Sequence, residues 1–129
     1  KIGNLHLPKK LWLKLNESDR LLLNVPIDER IKFLLKEYKH LTKDCKLIQP
    51  FINGMKGKIS NEKLSNWTNL IQKQDWKNFV KEILENHYDP KYNFSATKHM
   101  NKIKHKIDII ELNKLSIDNA SKKILKYFN

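Results

Sequence analysis

Residues 20–38 read RLLLNVPIDERIKFLLKEY, and the periodicity changes halfway along. Leu21, Leu22 and Leu23 form a continuous apolar run closed by Val25 and Pro26. That is the pattern of a strand buried on both faces, as in a parallel sheet. Directly after it, Ile27, Ile31, Leu34, Leu35 and Tyr38 recur at helical spacing, with Asp28 and Glu29 in the first turn, where the helix dipole favours acids. A strand that feeds straight into an amphipathic helix is the repeating unit of α/β architecture.

Working outward, Pro8 stands where a helix can open without needing its N–H, and Leu11, Trp12 and Leu15 give that helix an apolar side. Towards the C-terminus, Ile107, Ile109, Ile110 and Leu112 make a second strand. A closing helix follows Ser116, with Ile117, Ala120, Ile124, Leu125 and Phe128 expected to face inward. The strands at 20–25 and 107–112 are expected to lie parallel in one sheet, because each leads into a helix and parallel strands need long crossovers.

The segment between them is helical only. Leu47, Ile48, Phe51, Ile52 and Met55 form one stripe, which Pro50 should disturb and Gly57 should end. Leu64, Trp67, Leu70 and Ile71 form a second behind Ser60 as a cap, and Trp76, Phe79, Val80, Ile83, Leu84 and His87 a third behind Asp75. Asp89-Pro90 reads as a turn. Two strands alone would leave exposed edges, and parallel sheets need several covered members. The chain, which opens on Lys1, is therefore expected to be a single-domain fragment: the second half of an α/β domain, mostly helical by residue count. Residues 1–40 supply a helix and a strand–helix unit, 41–88 a helical insertion, and 89–129 a turn, a basic connection, the last strand and the closing helix.

Composition narrows the function classes. A chain of 129 residues is long enough for one core, and 40% hydrophobic with 31% charged residues is ordinary for a folded soluble protein. No apolar run is long enough to cross a bilayer, and no signal-peptide pattern opens the chain. The single cysteine, Cys45, cannot form an internal disulfide, which fits a cytoplasmic setting, and no motif around it marks a nucleophile. The spacing of His6, His40, His87, His99 and His105 matches no metal-binding pattern. A net charge of +12 points to a polyanionic partner, although every basic residue except Arg20 and Arg30 is a lysine. Trp12, Trp67 and Trp76 fall on apolar stripes and read as core rather than as base-stacking platforms. Tyr88 and Tyr92 flank the expected turn and read equally as stacking faces or as structure. After them Lys91, Lys98, Lys102, Lys104 and Lys106 form a strip with no acidic residue between Pro90 and Lys106, which can contact phosphates or simply lie in solvent.

Three segments carry a family resemblance. Ile2-Gly3 is followed by Leu7-Pro8 and Leu11; Val25-Pro26 by Glu29-Arg30 and Tyr38. Trp76 and a helix bearing Leu84 precede Tyr88-Asp89-Pro90-Lys91-Tyr92, with His87 where the family motif has its first tyrosine. In this order and spacing they resemble the bacterial tRNA 2-selenouridine synthase family, from its middle to about residue 95. The resemblance implies a rhodanese-like domain joined to a P-loop-type domain in the parent enzyme. It also implies replacement of sulfur by selenium in wobble 2-thiouridine of tRNA, with selenophosphate as donor and a geranylated intermediate derived from geranyl diphosphate. The rhodanese cysteine and a G-x-x-x-x-G-K-[ST] loop are both absent from these residues, whose glycines are Gly3, Gly54 and Gly57, so no catalytic residue and no cofactor is expected here. The partners implied are tRNA and the N-terminal domains of the same protein, with no membrane. Arg30, in the first turn of a helix after a strand, borders the crevice where α/β sheets bind ligands. Its alternative role is an ion pair with Glu29 or Asp28, and the arginine in the family pattern favours a phosphate contact. The rival to this whole reading is a freestanding basic helical module that binds nucleic acid or a partner, its two strands pairing as a small cap.

Overall fold

The computed structural model describes residues 6–93 and 107–128. Helix α1 (Lys9–Glu17) follows Pro8, and strand β1 (Arg20–Asn24) leads through Val25-Pro26 into α2 (Ile27–Glu37). A short α3 (Lys39–Lys43) and a 3-10 turn (Cys45–Ile48) precede α4 (Gln49–Met55), α5 (Asn61–Gln72) and α6 (Trp76–Ile83). Strand β2 (Ile107–Glu111) and α7 (Ile117–Phe128) complete the described elements. The two strands pair in parallel, Arg20 opposite Ile107 through Asn24 opposite Glu111, as the strand-to-helix pattern predicts. The ladder ends on polar contacts: Leu112 N donates to the Asn24 carbonyl (2.8 Å), and the Asn24 side-chain amide donates to the Glu111 carboxylate at 2.9–3.0 Å. The architecture is thus mixed α/β and mostly helical, with a two-stranded sheet among the described residues.

The principal buried cluster lies away from the sheet. Ile48, Ile52, Trp67, Ile71, Phe79 and Ile83 pack together, with Leu64, Trp76 and Val80 partly buried against them. Local chemistry starts and stops these helices. The Ser60 hydroxyl accepts from Lys63 N and the Asp75 carboxylate from Asn78 N, each at 3.3 Å, so both expected caps are formed. Gly57 sits at φ +75 just past α4, where the left-handed conformation ends a helix at no steric cost.

Pro50 does not disturb its stripe. It occupies the first turn of α4, where its missing N–H has no intrahelical partner to lose, and the preceding 3-10 turn delivers Ile48 to the core. The expected turn at Asp89-Pro90 is helical. A π-helical turn (Leu84–Tyr88) follows α6, Asp89 N bonds to the Leu84 carbonyl five residues back, and helical backbone continues over 89–93. The wider turn relieves the clash that a proline ring would make with the preceding carbonyl ladder.

The apolar runs outside the cluster are less covered than their patterns predict. β1 is half-buried rather than enclosed on both faces. Leu11, Trp12 and Leu15 of α1 are exposed, as are Tyr38, Leu47 and, on α7, Ile117, Leu125 and Phe128, which therefore do not face inward. The reason is geometric. A two-stranded sheet presents too little surface to cover two amphipathic helices, and neither α1 nor α7 contains a buried residue. None of the described helices is long and apolar enough to cross a membrane.

Candidate nucleic-acid interface

The segment that carries the candidate residues is the continuation of α6. Phe79 and Ile83 fix α6 in the core. The π turn then rotates the chain so that Leu84 and His87 also point inward, at 6% and 7% exposure. His87 lies edge-on to the buried Trp67 indole, with centroids 6.0 Å apart, and edge-on to Tyr88 at 5.2 Å. The Trp67 indole N–H is buried and has no hydrogen-bond partner among the described residues.

Helical continuation decides the geometry of the tyrosines. Tyr88 and Tyr92 are four residues apart on helical backbone and so share one face, and both are exposed. The same spacing joins His87 to Lys91, whose Nζ lies 3.3 Å from His87 Nε2. An ammonium only donates, so Nε2 accepts and the ring proton sits on Nδ1 of a neutral imidazole. The protonated form is further disfavoured by burial and then by the positive charges of Lys91, Lys58 and Lys63, which together hold the His87 pKa below 6.5.

Arg30 forms an ion pair with Asp89. Its NH1 and NH2 donate to the two oxygens of Asp89 at 2.9 and 2.5 Å, a bidentate pair that ties the first turn of α2 to the start of the 89–93 segment. The acid it pairs with is neither Glu29 nor Asp28. Glu29 instead accepts from Lys32 at 2.7 Å, and Asp28 lies 4.0 Å from Lys77. Lys98, Lys102, Lys104 and Lys106 lie outside the described residues.

Two further groups in this region, Lys58 and Lys63, carry no signal in the sequence. Nothing in their local pattern separates them from the other lysines; only the folding of the α4–α5 connection beside the π turn brings them to His87. Among the described residues, no cluster of three or more His, Cys, Asp or Glu side chains is placed to hold a metal. Compared with known proteins, the chain matches no family model, no curated protein and no solved structure.

Proposed function

We propose that this chain binds RNA, with tRNA as the substrate class, and that it is the positioning part of an enzyme that exchanges sulfur for selenium in wobble 2-thiouridine. The observation that carries the binding reading is the pairing of Tyr88 and Tyr92 on one exposed helical face beside Lys91, since exposed aromatic rings next to ammonium groups suit bases and phosphates together. The tRNA-modifying assignment rests on the family resemblance of the Val25–Tyr38 and Tyr88–Tyr92 segments. In the same reading, the two parallel strands belong to a larger P-loop-type sheet, whose further strands would pair with the edges left open among the described residues. Catalysis, selenophosphate and geranyl chemistry would reside in other domains of the parent protein.

A second reading, a freestanding basic helical module, is favoured by one observation: the main buried cluster is drawn entirely from residues 48–83 and includes no residue of the sheet. A glycine-rich phosphate loop and a rhodanese-type cysteine encoded upstream of Lys1 would favour the first reading.

The binding test is electrostatic. Replacing Lys102, Lys104 and Lys106 with glutamine should weaken tRNA binding and flatten the plot of log affinity against log salt by roughly 0.7–0.9 for each phosphate no longer neutralised. Tyr88→Ala and Tyr92→Ala should each cost about 1–3 kcal/mol of binding with little change in slope. A wild-type chain that shows no salt-dependent affinity for tRNA would overturn the proposal.

A further inference from the structure

A cleft of about 310 Å³ opens between the α4–α5 connection and the π turn. One wall is Lys58, Ser60 and Lys63; the other is Asn86, His87 and Lys91. These walls are brought together by the Trp67–Phe79–Ile83 core, which anchors α5 and α6 behind them. No carboxylate lines the cleft among the described residues. Among the same residues neither Lys58 nor Lys63 is engaged in an ion pair, whereas Lys32, Lys77 and Arg30 are each paired with acids.

Three lysines lining one cleft with no carboxylate among the lining residues repel one another. They raise each other's free energy unless an anion fills the space between them. We propose that this cleft is a phosphate-binding site, in which Lys58, Lys63 and Lys91 converge on one phosphate group beside the Ser60 hydroxyl, the Asn86 amide and the imidazole of His87.

Several features agree. The three lysines line the same cleft as His87, and Lys91 Nζ reaches to 3.3 Å of His87 Nε2. The buried imidazole is held by aromatic neighbours rather than by solvent, so it forms a fixed wall. The amino end of α5 opens beside Ser60, and its dipole adds to the field of the lysines. Lys91 is shared with the tyrosine face, so a phosphate in the cleft would sit next to bases stacked on Tyr88 or Tyr92. The phosphate has two possible sources, a diester of the RNA backbone or a free phosphate compound. The site itself goes beyond RNA binding and does not depend on it.

The test uses the full chain, titrated with inorganic phosphate and followed by NMR. Shifts should concentrate in the amides of 58–63 and 86–91 and in the His87 ring, and should saturate. Lys58→Gln combined with Lys63→Gln should weaken phosphate binding about tenfold. Lys10→Gln combined with Lys14→Gln, on α1, removes the same net charge and should leave it unchanged. Shifts scattered over the lysine surface, or equal titration of the two double variants, would overturn the site. If either variant loses its folded spectrum, the location of the wild-type shifts decides alone. A second titration with a short oligoribonucleotide separates the sources. Displacement of phosphate from the cleft identifies a backbone diester. Phosphate binding without any RNA binding leaves the site standing with a free phosphate compound as ligand, and removes the RNA reading instead.

Discussion

At the scale of single residues, His87 and the Arg30–Asp89 pair do more than their sequence context announces. His87 is neutral in the folded chain because burial and then Lys91, Lys58 and Lys63 oppose its protonation. In the unfolded chain it takes up a proton near its ordinary value of 6.5. The unfolded state therefore binds more protons, and the stability that His87 contributes is fully present above about pH 6.5 and lost as pH falls through the lower folded-state value. Urea unfolding at pH 7.5 and pH 5 should show a drop in midpoint for the wild type that is smaller in His87→Gln; equal drops would show that His87 does not carry the acid sensitivity. Arg30 and Asp89 form an ion pair. Each side chain is about one-third exposed, so solvent screens their attraction, and a double-mutant cycle of Arg30→Ala and Asp89→Ala should give a coupling of about 1 kcal/mol. Arg30→Lys should recover little of it, because a point charge cannot reproduce two parallel N–H bonds to one carboxylate.

Among the elements, α6 is the pivot. Phe79 is 2% exposed, lies edge-on to both Trp67 and Trp76, and links α5 to α6. Phe79→Ala should cost about 3–5 kcal/mol in chemical unfolding, by loss of buried surface plus the cavity left behind. A loss below about 1 kcal/mol would mean that the helix can repack without it. The consequences reach the candidate interface, because the π turn, the tyrosine pair and one wall of the basic cleft all hang on the same helical segment.

Across the whole molecule, burial is uneven. The cluster of residues 48–83 is enclosed, whereas β1 and β2 are half-buried and α1 and α7 are open to solvent on sides that carry Leu11, Leu15, Ile117, Leu125 and Phe128. Opening free energies follow that distribution. Amide hydrogen exchange should be slower in α5 and α6 than in β1, β2 and α7 by about an order of magnitude or more. Uniform protection would instead show that sheet and cluster open as one unit.

How much of this was legible can be judged from particular residues. Ser60, Asp75 and Gly57 announce helix ends because capping and left-handed backbone are matters of a few adjacent residues. The stripe of Trp76, Phe79, Val80 and Ile83 announces an amphipathic helix because its apolar residues recur at helical period, and the apolar runs at 21–23 and 107–112 announce parallel strands because each feeds directly into a helix. Other features needed the fold. Asp89-Pro90 has the local chemistry of a turn, but the π turn before it and the Arg30 clamp, 59 positions away in sequence, hold it helical. The inward sides expected of α1 and α7 depended on a covering layer that the two described strands are too small to provide. Lys58 and Lys63 are indistinguishable from other lysines until α4, α5 and the π turn meet. Local hydrogen bonding and periodicity were settled by the sequence alone, whereas which charges converge, and which apolar faces stay uncovered, were decided only when distant segments packed together.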